Sequence, residues 1–210
     1  MLKTLVLLFF VFIISESAAQ KILQKEIDAQ QITQLSIDGT SIFKIEIFSE
    51  ERNTIEIISN IEGEYSESMM IATKIIKNAL SISSAFSPYF KKDNDKLAAH
   101  KIESVSLVIK VPHQMVVGVI SDIANLTIDG LYNFVDVSLE NGKCTLTNFI
   151  GNATLVTNEG DILVKASAVD VSGTLFSKLG TEINELPDGN RFLIEAYSLR
   201  GDIVLQQTEK

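Results

Sequence analysis

The chain has 210 residues with 27 acidic and 18 basic side chains, a net charge of −9, and a single cysteine. An acidic surface repels phosphate backbones, which excludes nucleic acid as a partner, and one cysteine excludes an internal disulfide.

The opening "MLKTLVLLFFVFIISESAAQ" sets a positive Lys3 before an apolar run from Leu5 to Ile14 and ends in the small residues Ser17, Ala18 and Ala19. This is the pattern of a secretory signal peptide over residues 1–19, with Gln20 as the mature N-terminus. The run is shorter than the roughly 20 residues that span a bilayer. No Cys follows the cleavage site to take a lipid, and no later run is long and apolar enough to span. The mature chain is therefore expected to be exported and to hold no integral membrane segment after cleavage. Cleavage removes Lys3 and Glu16 together, so the net charge is unchanged.

The mature residues read as strands, with Ile, Val, Thr, Phe and Leu recurring and Gly with Asn or Asp punctuating the runs. In "SIFKIEIF", Phe43, Ile45 and Ile47 share one face, the alternation of a half-buried strand. "NTIEIIS" behaves alike, and "ESVSLVIKV" places Val105, Leu107, Ile109 and Val111 on one side. In "SMMIATKIIKNALSIS" a helical stripe of Met69, Ala72, Ile76 and Ala79 competes, but the neighbours favour two strands turning near Lys77 and Asn78. Residues 84–96, "SAFSPYFKKDNDK", read as a loop by Pro88 and their Asp, Asn and Lys.

The second half repeats. "NLTIDGLYNFVDVSLENG" (125–142) and "KCTLTNFIGNATLVTNEG" (143–160) are both 18 residues long. Leu126 aligns with Cys144, Ile128 with Leu146, Val137 with Leu155 and Gly142 with Gly160; the next unit carries on with Ile162 and Val164 to Gly180. Units of strand, turn, strand and turn that cannot bury an apolar face alone predict a β-solenoid with coils of about 18–20 residues. Stacked at a strand spacing of about 4.8 Å, Leu126, Cys144 and Ile162 would form one interior ladder. An antiparallel sandwich is the competing architecture. The predicted fold is thus all-β, a strand-rich N-terminal part continuing into a β-solenoid or β-helix.

The exported start, the lead-in "DKLAAHKIESVSLVIKVP" and the turns of "ENGKCTLTNFIGNATLVTNEGDILV" resemble the bacterial putative-adhesin β-helix family, exported proteins of Bacteroidetes related to auto-transporter adhesin head domains. The resemblance is clearest from about residue 102 to the end. It implies a stacked-strand cell-envelope protein and supplies no catalytic residues. It also implies a location in the periplasm, outside the cell or on the surface of a Gram-negative bacterium. The chain departs from that family in showing no outer-membrane barrel, sorting tail or lipid site. The expected organisation is a signal peptide (1–19), an N-terminal β region (20–101) and an adhesin-like β-solenoid (102–210). The two β regions are free to form one continuous domain.

No catalytic, metal or cofactor motif is present. Asp129, Asp161, Asp170 and Asp202 are the carboxylates of the repeat region, and three of them adjoin or nearly adjoin glycine turns, where Asp is favoured for its backbone bonds. Cys144 reads as a buried structural thiol, since His100 and His113 lie elsewhere in the chain. The binding candidates are Phe86, Tyr89 and Phe90, close together in the 84–96 loop, as sugar or protein contacts use exposed aromatics. The same rings could instead cap the end of the core. The expected function is a non-enzymatic binding module whose partner is an unknown envelope protein or glycan. A polysaccharide lyase or hydrolase on a β-helix is the alternative. Arg200, Gly201 and Asp202 spell a cell-attachment tripeptide, but "LRGDIVL" matches the turn "NEGDILV" and reads as structural.

Overall fold

The computed structural model describes residues 20–90 and 104–208. The expected signal peptide lies outside the described residues, as does the part of the aromatic loop beyond Phe90.

Those residues form one curled sheet of fifteen strands, with a short 3-10 turn at Ser66–Ser68. Two long parallel strands, β9 (Asn125–Asn141) and β10 (Cys144–Glu159), show how one sheet wraps a core. Each carries two ladders. The first half of β9 pairs with β3 (Lys44–Glu50) and its second half with β8 (Val116–Ser121). The first half of β10 pairs with β11 (Ile162–Ala166) and its second half with β14 (Phe192–Ser198).

Between the halves the β9–β10 register slips twice, as bulges do where a strand must bend. A Cβ on Gly151, whose φ is +150°, would lie 2.5 Å from the Tyr132 carbonyl oxygen, so only glycine fits this corner. Tyr132 and Phe149 are buried there and stack at 6.1 Å between ring centroids. The Tyr132 hydroxyl lies 3.0 Å from the Asp129 carbonyl oxygen and 3.2 Å from that of Ile47. Burial, reinforced by the Asp129 charge, raises its pKa well above the ordinary phenol value and keeps it a neutral donor.

The bend divides the sheet into two limbs. The first runs β1 (Gln20–Asp28), β4 (Thr54–Glu62), β7 (Ser104–Pro112), β3, β9, β10, β11, β15 (Ile203–Gln207) and β13 (Glu182–Asn184). The second runs β5 (Met69–Ile76), β6 (Ala79–Phe86), β2 (Gln34–Asp38), β8, β9, β10, β14 and β12 (Val171–Ser177). Every pair is parallel except β1–β4, β4–β7 and β5–β6. The last is a tight hairpin at Lys77 and Asn78, with Ile76 opposite Ala79 and Lys77 at φ 56°. Strands, not a helix, occupy this segment.

Alternation puts one residue in two into a single shared core. In the first limb, Leu107, Ile45, Leu126, Cys144, Ile162 and Ile203 pair in succession, all at most 1% exposed. In the second limb Ile82, Ile37, Val119, Val137, Leu155 and Ala196 do the same. Ile128 lies beside Leu146 of the next strand, as the alignment of the two 18-residue segments requires.

Chain order and spatial order part company at both ends. β2 lies between β6 and β8, and β3 between β7 and β9. At the other end β14 lies between β10 and β12, and β15 between β11 and β13. The repeat spacing in the sequence predicts that the unit ending at Gly180 lies directly against the unit before it. In the second limb the neighbour of Ala153 is instead Ile194 of β14, and β12 lies one strand further out. The reason is burial: Ile194 and Ala196 fill the core where β12 offers Gly173 and a partly buried Leu175.

Candidate functional site

Two of the three aromatic candidates, Phe86 and Phe90, meet where the second limb's strands end. Met69 of β5 faces Phe86 of β6, and the Ser87 N–H donates to the Ser68 carbonyl at 2.8 Å. The Phe90 N–H donates to the Ser87 carbonyl at 2.9 Å and turns the chain back. The Phe90 ring therefore stacks on Phe86 at 4.8 Å between centroids and meets Tyr65, which is buried, edge-on at 4.9 Å. Tyr89 points away and is 94% exposed. The roles divide: Phe86 and Phe90 pack as a pair, while Tyr89 is displayed.

Beside this pair lies an open hollow of about 280 Å³ lined by Asp38, Thr40, Ser41, Met69, Ser84 and Phe86. The parallel β2–β6 pairing places Asp38 opposite Ser83 and so brings the β2–β3 turn to the aromatic corner. The Thr40 N–H donates to Asp38 Oδ1 at 3.1 Å, and Ser84 Oγ donates to the Thr40 carbonyl at 3.0 Å. Aromatic faces beside a carboxylate and hydroxyls suit a ligand with an apolar face and hydroxyl edges. Sequence reasoning missed Tyr65, Asp38 and Thr40, because only strand pairing brings them to the loop.

Asp129, Asp161, Asp170 and Asp202 are engaged in hydrogen bonds to neighbouring strands and turns. Asp129 Oδ2 accepts from Thr147 Oγ1 at 2.6 Å and Asn148 Nδ2 at 2.8 Å. Asp161 Oδ1 accepts from the Asp202 N–H at 3.1 Å, and Asp202 Oδ1 from the Thr181 N–H at 2.7 Å. Asp170 Oδ1 accepts from the Asn190 N–H at 2.6 Å.

Ser49 Oγ lies 2.7 Å from His113 Nδ1, a distance that suggests a nucleophile and its base. The same hydroxyl donates to the Leu131 carbonyl at 2.7 Å. With its one proton committed there, Ser49 accepts from Nδ1–H, and His113 acts as a donor rather than a base. Cys144 is fully buried, and burial pushes its thiol up to about 12, so it stays protonated and inert. Among the described residues no cluster of His, Cys, Asp and Glu could hold a metal ion, and no helix is long and apolar enough to cross a membrane.

A second set of side chains closes the turns. Ser121, Thr157, Ser198 and Ser177 are buried at the last inward position of their strands. Ser198 Oγ accepts from the Gly201 N–H at 2.7 Å, Ser177 Oγ from Gly180 at 2.9 Å and Ser121 Oγ from Ala124 at 3.1 Å. These are local side-chain caps on turns whose N–H groups would otherwise be buried unpaired. The Arg200-Gly201-Asp202 tripeptide is one such turn. Its Arg pairs with Glu159 at the end of β10, and its Asp accepts from the Thr181 N–H just before β13.

No protein-family model matches the chain, and no curated protein matches it in sequence. Among solved structures, a putative cell adhesion protein from Clostridium sporogenes is similar over 90% of this chain and 100% of its own, at 11% identity and a TM-score of 0.60. The chain shares its fold. A putative adhesin from Bacteroides fragilis, at 11% identity and a TM-score of 0.36, covers 91% of this chain and 99% of its own. That second likeness is looser and adds nothing to the fold assignment.

Proposed function

We propose that this chain is an exported, non-enzymatic binding module of the bacterial cell envelope, which engages an envelope protein or glycan through the aromatic corner of Phe86, Tyr89 and Phe90. The observation that carries the reading is Tyr89, a large ring 94% exposed, adjacent in the chain to Phe90 of a packed pair whose Phe86 lines a polar hollow. Rings displayed in this way are costly to leave in water and are used for contact. The hydrogen bonds that occupy Asp129, Asp161, Asp170 and Asp202 favour the module over a polysaccharide lyase or hydrolase, which needs carboxylates free to move protons. Secretion rests on the signal-peptide pattern of residues 1–19.

The parallel, in-register pairing of Leu126, Cys144 and Ile162 supports a coil-stacked architecture of the β-solenoid kind. Insertion of β2 and β3 among later strands supports a single continuous domain across residues 20–101 and 102–210.

The test is a glycan array and an envelope-fraction pull-down, each run with the mature protein and with Tyr89→Ala. Tyr89→Ala is expected to lose the captured ligand at unchanged melting temperature, whereas Phe90→Ala loses stability as well. Equal capture by the parent protein and Tyr89→Ala would remove the aromatic corner as the contact.

A further inference from the structure

The opposite ends of the second-limb strands carry another hollow, of about 320 Å³, lined by Gln114, Leu131, Tyr132, Asn133, Arg191 and Phe192. Gln114 precedes β8, Asn133 opens the second half of β9, and Arg191 precedes β14, so the parallel sheet gathers three strand starts at one rim. The volume is at the small end of ligand pockets.

Around the hollow the backbone is held by hydrogen bonds, while the side-chain polar ends of Gln114, Asn133 and Arg191 are exposed and unused. Gln114 sits at φ 63°, a conformation unusual for a side chain of this kind, and its N–H donates to the Leu131 carbonyl at 3.1 Å. That carbonyl also receives Ser49 Oγ, which His113 supports from the other side. The Asn190 and Arg191 N–H groups both donate to Asp170 Oδ1, at 2.6 and 3.3 Å, which fixes the backbone below the guanidinium. The guanidinium lies 5.0 Å from the centroid of the Phe192 ring. Among the described residues it makes no ion pair, and the amides of Gln114 and Asn133 make no side-chain hydrogen bond. An exposed cation preorganised on an aromatic ring, in a chain of net charge −9, is suited to an anion.

The lining narrows the chemistry. A planar guanidinium takes a carboxylate bidentately. The hollow offers a single cation within a strongly acidic protein, which suits one negative charge better than a phosphate or a run of charges. The two neutral amides can each give and accept hydrogen bonds, as ring hydroxyls require. Leu131 and Phe192 provide apolar surface for the C–H edge of a sugar.

We infer that this hollow binds a single uronic acid unit of an otherwise neutral polysaccharide, with its carboxylate on Arg191 and its hydroxyls on Gln114 and Asn133. The site is separate from the aromatic corner and does not depend on it.

The experiment is an NMR titration of the mature protein with an aldobiouronic acid, one uronic acid joined to one neutral sugar, against the methyl ester of the same disaccharide and an acetylated dipeptide with a free carboxylate. The acid is expected to bind, and both the ester and Arg191→Gln to weaken binding about tenfold or more, the value of a charged hydrogen bond. Arg191→Lys should retain part of the affinity and Tyr89→Ala all of it. Absence of binding by the acid, equal binding by the ester, or undiminished binding to Arg191→Gln would overturn the inference. Binding of the dipeptide as tightly as the acid would overturn it in favour of a peptide C-terminus.

Discussion

Gly201 lies directly over Gly160: a Cβ on Gly201 would sit 1.9 Å from the Gly160 carbonyl oxygen, and one on Gly160 would sit 1.8 Å from that of Gly142. Backbone meets backbone at this corner, and neither partner can yield as a flexible side chain would. Gly201→Ala is therefore expected to cost about 2 kcal/mol or more, at the upper end of overpacking effects. Gly118, whose added Cβ would meet nothing nearer than 4.0 Å, is the control; Gly118→Ala should be neutral or slightly stabilising. Chemical denaturation of the two variants measures the difference, and equal midpoints would contradict the stacked-glycine account.

The attachment tripeptide separates into a dispensable and a structural part. Arg200 and Glu159 are 58% and 52% exposed as side chains, so Arg200→Ala should change stability by less than about 0.5 kcal/mol. Asp202→Ala removes the acceptor of the Thr181 N–H and should cost about 1 kcal/mol. If Arg200→Glu abolished cell binding by the intact protein, the structural reading of this turn would fail.

Cys144 should be invisible to thiol reagents at neutral pH in the folded protein, because burial both blocks access and holds the thiol up to about 12. Labelling should appear only with unfolding. Cys144→Ser places a hydroxyl between Leu126 and Ile162 and is expected to destabilise by about 1–3 kcal/mol, more than Cys144→Ala if the hydroxyl finds no partner.

Glu56 links stability to acid. Desolvation opposes its ionisation, but the Arg52 hydrogen bond, the Lys110 charge and the Gln24 amide outweigh it and hold the carboxyl below its ordinary value. A carboxyl that is more acidic in the folded state contributes stability above its unfolded pKa and loses it as pH falls through the folded one. Glu56→Gln should therefore be less stable than the parent at neutral pH and converge with it in acid, below the ordinary carboxylate range. Thermal melts across that range measure it; a pH-independent difference would be inconsistent with the linkage.

Much of the fold was legible because strand periodicity is local. Alternation marked Phe43, Ile45, Ile47, Leu107 and Ile109 as inward, which holds for all but Phe43, 53% exposed just before β3 begins, and equal spacing paired Leu126 with Cys144 and Ile128 with Leu146. The aromatic candidates were visible because they fall within five residues, Phe86 to Phe90. Tertiary structure alone decided which strand neighbours which: β2 and β3 slip in among later strands, and β14 and β15 displace β12 and β13 outward. Strands with the same apolar alternation are interchangeable when read singly, and their order is settled by how well each fills the core once neighbours are present. Arg191 carried no sequence signal at all, since what distinguishes it is the ring beneath it and the strand starts gathered around it.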